Sequence, residues 1–388
     1  MRQMRQVYLD YAATTPPDPR VTACVAESIP ALFGNPSSIH SFGRSARGAV
    51  EKARRDVANL LGARPEEIFF TSGGSESDNW AIKGMAFALR AAGRPCGIVT
   101  TAIEHPAVLQ TCAWLVQQGF SVQYLPVDAE GVVSLEDLAA AVDETTGIVS
   151  VMFANNEVGT IEPIAEIAAF CQVRGIFFHT DAVQAAGHLP IDVQALGIDA
   201  LSLSGHKFYA IKGIGALYLR SGFSLDALVH GGAQERRMRA GTENVPAIVG
   251  LGCAAALAAT ELKEEARRLR ALRERIAAGV LALGESWLNG PNDSVHCLPG
   301  HLNFGFRGIR QDVLLMRLDL AGFAVSAGSA CSAGALTPSH VLLALGQDER
   351  KAGTALRVTL GRFTTAVEVD AFLTALREIV TDLRRIRK

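Results

Sequence analysis

Residues 148–181 read IVSVMFANNEVGTIEPIAEIAAFCQVRGIFFHTD. The β-branched and aromatic run Ile148–Phe153 predicts a strand, and Ile176–His179 predicts another. Between them Pro163, Ile164, Ile167 and Phe170 recur at helical spacing, and Gly175 stops the pattern. Strand, helix and strand in that order make a βαβ unit, which requires parallel strands and a helix packed across them.

The same alternation extends in both directions. Ile68–Phe70, Ile98–Thr101, Val122–Pro126, Ala200–Ser202 and Gly215–Leu219 predict further strands. A helical pattern at Val50, Ala53, Val57, Leu60 and Leu61 stops at Gly62. Seven strands make one large α/β domain with a mostly parallel sheet. After Pro246 the character changes. Leu257–Leu283 predicts one long helix with Leu262, Leu269, Leu272, Ile276 and Val280 on one face, and its charge run from Lys263 to Arg275 reads as a solvated face. His301–Phe306, Ala324–Ser326 and Leu356–Leu360 predict strands of a smaller second domain, covered by a helix over Val367–Arg385.

With 388 residues, the chain is long enough for two or three domains and a large core. Its net charge of −2 leaves no basic stripe, so nucleic acid is not an expected partner. Met1–Asp10 carries no apolar run resembling a signal peptide. Of the two long stretches free of Asp, Glu, Lys and Arg, 105–127 is broken by Pro106 and Gly119, and 244–260 is short for a bilayer. A soluble, cytoplasmic protein without a membrane partner is expected. Seven cysteines show no metal spacing, so no metal is expected. Cys24, Cys112, Cys171 and Cys253 sit in apolar, helix-like contexts and read as small buried hydrophobes. Cys331 differs, because Ser-Ala-Gly-Ser-Ala precedes it and Ser-Ala-Gly follows. Such a segment is too small and flexible to be a packed element.

In open parallel sheets, function gathers in loops at the carboxyl ends of strands. Four such loops carry unusual polar residues. Thr71-Ser72-Gly73-Gly74-Ser75-Glu76-Ser77 leaves backbone N–H groups and hydroxyls free at a helix start, suited to an anion or to an ordinary N-cap. Glu104-His105-Pro106 places a histidine at a strand end, structural or functional. Asp181, after the apolar strand Ile176–His179, is either an N-cap or the partner of a cation. Ser204-Gly205-His206-Lys207 ends another apolar strand with one of only seven lysines. That lysine either snorkels or, desolvated, offers a free amine for a Schiff base. Together the four ask for one ligand with a phosphate, an aldehyde, a protonated ring nitrogen and a flat face. Pyridoxal 5′-phosphate meets all four requirements.

On these motifs the chain resembles the cysteine desulfurases, pyridoxal-phosphate enzymes of fold type I within the class V aminotransferases. The resemblance runs from Tyr8–Pro16 to Leu360–Thr365. Its most specific segments are Gly34–Ser38, Thr71–Asn79, Asn155–Gly159, Ser204–Lys207, Met238–Thr242 and Ser329–Ser332. It implies a large cofactor-binding domain over residues 16–256 and a small C-terminal domain over 257–388, with residues 1–15 packing on the latter. It implies that Lys207 carries the cofactor and moves protons, that Asp181 pairs with the ring nitrogen, and that His105 stacks on the ring and serves in acid–base steps. Gln184 would bond the ring's phenolic oxygen. Gly74, Ser75, Ser204 and His206 would hold the phosphate, joined by Thr242 from the second subunit of a homodimer. Asn156 and Arg357 would hold the substrate carboxylate. Cys331 would take sulfur from L-cysteine as a persulfide, leaving L-alanine, and pass it to an acceptor protein such as an iron–sulfur scaffold. Its Ser/Ala/Gly surroundings resemble the branch with the longer loop.

This chain departs from the family pattern at Phe208-Tyr-Ala-Ile-Lys212, where many members have Gly-Pro, and at Ser75, where threonine is common. A selenocysteine lyase or another class V aminotransferase would share the cofactor residues. Cys331 argues against a transaminase, and the intact Lys207, Asp181 and His105 argue against a non-catalytic homologue. Selenocysteine as a substrate, and the identity of the sulfur acceptor, stay open.

Overall fold

A computed structural model of the protein describes residues 6–293, 295–328 and 338–386. After the short strand β1 (Val7–Tyr8), all seven strands expected in the first 220 residues are present. They are β2 (Ile68–Thr71), β3 (Gly97–Thr101), β4 (Val122–Leu125), β5 (Thr146–Ser150), β6 (Phe177–Asp181), β7 (Ala200–Ser204) and β8 (Gly215–Leu219). They form one sheet in the order β2-β8-β7-β6-β5-β3-β4. In this sheet β8 runs opposite to the other six strands.

Every residue of the strands between the edges is buried, as a sheet covered on both faces requires. Successive residues alternate between two cores. Phe70, Val99, Val149, Phe178 and Leu201 face the helices Ser41–Leu61 and Ile164–Arg174, whereas Phe69, Ile98, Ile148 and Phe177 face Gly74–Ala91 and Pro106–Gln117. Each such large apolar side chain contributes roughly 1.5–3 kcal/mol by leaving water. This three-layer arrangement brings the carboxyl ends of β3, β5, β6 and β7 to one edge.

A smaller antiparallel sheet, β12-β10-β9, is built from β9 (Ser286–Leu288), β10 (His301–Phe306) and β12 (Ala355–Thr359). β1 pairs with β11 (Phe323–Ala324), and Val7 and Leu9 pack into the core of this second unit. The long helix differs from the sequence expectation. It starts at Val245 and runs unbroken to Leu281. Its first turns pack Ile248, Leu251 and Ala255 into the large core, and its last turns pack Leu269, Leu272, Ile276 and Val280 into the small one. The early turns escaped a reading by apolar periodicity because small residues fill them. A Cβ at Gly252 would lie 2.6 Å from Ala53 Cα, so two helix backbones touch there. By length and composition this helix could cross a bilayer, but in the fold it is the core element joining both units.

Cys112 and Cys171 are fully buried. Cys24 and Cys253 are instead half-buried and face each other, with their sulfurs 2.9 Å apart. Cys331 lies outside the described residues.

Candidate active site

The four polar loops meet around a cavity of about 220 Å³ at the carboxyl edge of the large sheet. β2 delivers the first. Gly73 opens the helix Gly74–Ala91 with φ +156°, a conformation that side-chain-bearing residues rarely adopt. Thr71 and Ser77 hydroxyls bond each other at 2.8 Å and brace the turn. Gly74 and Ser75 line the cavity, together with Ser204 and His206 from the end of β7. A positive helix end and two hydroxyls therefore face one space, a setting that favours an anion.

β7 also delivers Lys207, through a single 3-10 turn, Gly205–Lys207. Its Nζ donates to the carbonyls of Ala12 at 2.6 Å and Ala13 at 2.9 Å. His206 Nδ1 lies 3.0 Å from the Thr14 hydroxyl. Burial and the neighbouring Lys207 and Lys212 push the His206 imidazole down to about 4, so at neutral pH it is an uncharged ring.

Asp181 ends β6 on the cavity wall, 5% exposed, and one carboxylate oxygen accepts the Val183 N–H at 2.9 Å. Burial raises its pKa above the ordinary range, while His105 and Lys207 pull the other way. A buried carboxyl in that condition gains from a cation placed against it. Three residues on, Gln184 lines the same wall and donates to the Ala12 carbonyl at 3.0 Å. His105 caps the helix Pro106–Gln117, its Nδ1 accepting the Ala107 N–H at 3.1 Å. Burial lowers its pKa, so the ring is neutral and presents itself to the cavity.

Asn156 and Arg357 close the other side. Arg357 comes from β12 of the small unit and is 1% exposed. One terminal nitrogen donates to Asp10 at 2.8 Å and the other to the Asn156 carbonyl at 2.9 Å. Its Nε has no hydrogen-bond partner among the described residues. The cavity is thus assembled from both units, as the resemblance implied by placing Arg357 beside Asn156. Thr242 is exposed and is not among the residues lining the cavity.

These residues fit pyridoxal phosphate on structural grounds: an anion cradle at a helix start, a lysine amine, and a buried carboxyl without a full cation partner share one cavity. Sequence reasoning overlooked several residues of that cavity, Ala12, Ala13 and Asp78 among them. The Ala12 and Ala13 carbonyls carry no side-chain signal. Asp78 lines the cavity from the helix Gly74–Ala91, and its signal was a carboxylate one turn into an otherwise apolar helix face.

Residues 7–372 match the family model described as Aminotransferase class-V. The chain belongs to that family. Within it, the chain is 50% identical over 382 residues to "Cysteine desulfurase IscS" of Methanosarcina thermophila, covering 98% of this chain and 94% of the relative. It is 47% identical over 383 residues to the "IscS-like cysteine desulfurase" of Mycobacterium tuberculosis strain H37Rv, covering 97% of each. A solved "NIFS-LIKE PROTEIN" superposes with a TM-score of 0.90 at 41% identity, covering 97% of this chain and all of that one. This class V aminotransferase chain is therefore a member of the cysteine desulfurase group.

Proposed function

We propose that the chain is a pyridoxal-phosphate-dependent cysteine desulfurase that converts L-cysteine to L-alanine and holds the sulfur on Cys331. The observation that carries the cofactor assignment is the convergence of Lys207, Asp181 and the Gly73–Ser75 helix start on one cavity. When bound, the cofactor supplies an electron sink for the substrate's Cα. Lys207 moves the proton at Cα, and Asp181 holds positive charge at the ring nitrogen. Gly74, Ser75, Ser204 and His206 hold the phosphate, Gln184 the phenolic oxygen, and neutral His105 the ring face. Arg357 and Asn156 hold the substrate carboxylate, since a guanidinium matches a carboxylate in plane and charge.

The thiolate of Cys331 attacks the substrate sulfur. One S–S bond forms, the C–S bond breaks, and the electron pair stays with the substrate carbon, which takes up a proton. L-Cysteine and the thiol thereby become L-alanine and a persulfide, with atoms balanced. The sulfur then passes to an acceptor protein for iron–sulfur or other sulfur-cofactor synthesis in the cytoplasm. We further propose a homodimer in which Thr242 of the second subunit completes the phosphate cup. The exposure of Thr242, and of Phe33, Ile39 and Phe42 at 56% or more, supports that reading. The division into residues 16–256 and 257–388 is likewise proposed, within one continuous helix.

Borohydride reduction followed by peptide mass analysis tests the cofactor assignment, and the adduct is expected on Lys207. Alanine and sulfide produced from L-cysteine with a reductant test the reaction. Cys331→Ala should keep the bound cofactor's colour but release neither product. Full activity in that variant would remove Cys331 as the nucleophile.

A further inference from the structure

Asp78 sits one helical turn beyond the Gly73–Ser75 loop, 1% exposed, and lines the same cavity as Asp181. One of its carboxyl oxygens has no hydrogen-bond partner among the described residues. The groups facing it come from several elements. From β6, His179 Nε2 lies 3.7 Å from that oxygen. The ring of His179 is held between the Ser150 hydroxyl at 2.9 Å and the Ser202 hydroxyl at 3.0 Å. Burial drives His179 down to about 3, so it stays neutral and brings Asp78 no positive charge. From β7, Ser202 is a further neighbour, and it favours the ionised form of Asp78. Asp181 and, beyond β3, the buried Glu104 are further carboxyls acting on Asp78.

The nearby cation, Lys207, acts on Asp181, as does the neighbouring His105, whose ring burial keeps neutral. Neither is among the groups that act on Asp78. Two neighbouring carboxyls in a dry site do not both ionise, and the one with the better partners keeps the charge. Asp181 accepts a backbone N–H and has Lys207 acting on it, so it is the ionised member.

We propose that Asp78 is a protonated, neutral carboxylic acid that acts as a positioning residue, leaving Asp181 as the one carboxylate available to the cofactor's ring nitrogen. Its task rests on the pyridoxal-phosphate reading above, whereas its protonation does not. One cation then meets one anion in the site. A second ionised carboxylate would over-hold the ring proton.

Infrared difference spectroscopy on the holoenzyme tests this directly. One carboxylic-acid carbonyl band of wild type at pH 7 and above is expected to be lost in Asp78→Asn and retained in Asp181→Asn. Because asparagine is also neutral, the pH titration of the cofactor's visible band in Asp78→Asn should move by less than about one unit. A wild-type spectrum without an acid band that Asp78→Asn removes, or a shift of about one unit or more, overturns the proposal. If Asp78→Asn does not fold, Asp78→Ser replaces it, and the lost band must be one that shifts on carbon-13-aspartate labelling, which excludes the buried glutamates. A wild type that never shows a visible cofactor band would defeat the cofactor reading alone, because the acid band reports Asp78 in either state.

Discussion

Arg357 of the small unit donates to Asp10 of the N-terminal segment at 2.8 Å, so the guanidinium in the cavity wall is already half engaged before any substrate arrives. The Asn156 carbonyl takes its other terminal nitrogen. A substrate carboxylate would meet a side chain held in place on two sides, which reduces the ordering cost of binding. Arg357→Lys keeps the charge but loses the planar fork. The expected result is a KM for L-cysteine raised by about tenfold or more, from roughly 1.5–3 kcal/mol for hydrogen bonds to a charged group. The cofactor's visible band should persist. Steady-state kinetics and absorbance on one preparation check both. An unchanged KM would assign Arg357 to structure alone.

Gly215, the first residue of β8, supports the proposed phosphate loop from beneath. A Cβ there would lie 2.6 Å from the Leu203 carbonyl oxygen and 2.7 Å from Gly73 Cα. Both are backbone atoms, so the new methyl has no side chain to push aside. Gly215→Ala should lift the loop off the sheet and cost about 1–3 kcal/mol, as overpacking does. The dialysis half-life of the cofactor's visible band should shorten more than the melting temperature falls. Equal retention in variant and wild type would separate the loop from the cofactor.

The sheet and the four loops were legible because each depends on a short window. The run Gly215–Leu219 reads as a strand from five residues, and the structure places it at the same bounds. β6 was displaced by a residue or two, and β5 was read three residues too far, since Val151–Phe153 continue the apolar run after the ladder ends. What lay beyond reach depends on contacts distant in sequence. Asp10 reads as one acidic residue among 39 until β12 brings Arg357 to it. The long helix was read from Leu257 because alanine and glycine give no apolar period, although their size is what lets Gly252 meet Ala53. Lys207 stood out by rarity, whereas Arg357 did not, among thirty arginines.

Arg54 and Glu235 form a buried pair beside β2 in the large unit. The two guanidinium terminal nitrogens reach the two carboxylate oxygens at 2.8 Å each, with both side chains 5% exposed or less. Glu235 also accepts the Phe70 N–H at 2.9 Å, so it ties β2 to residues distant in sequence. Removing one partner strands the other's charge. Arg54→Ala should therefore destabilise by about 3–5 kcal/mol in urea unfolding. Replacing both, as Arg54→Met with Glu235→Gln, should cost less than the single change. A single-variant loss below about 1 kcal/mol would show that water reaches the site.

Glu162 sets a pH dependence of opposite sign to the usual carboxylate. It is 3% exposed and accepts the Val133 N–H at 2.9 Å through one oxygen, and the other has no hydrogen-bond partner among the described residues. Burial, with Asp128 adding to it, raises its pKa from 4.5 to about 8. The folded state therefore binds this proton more tightly than the unfolded chain does. Stability from this group is fully present below about pH 4.5 and drains away as the pH rises to about 8. Glu162→Gln keeps an acceptor for Val133 and has no charge to bury. Its melting temperature should nearly match wild type near pH 5 and exceed it at pH 9, where the gain is on the order of 5 kcal/mol. Thermal melts of both proteins across that range provide the check. A variant less stable than wild type at pH 9 would mean that Glu162 is ionised and well paired in the folded chain.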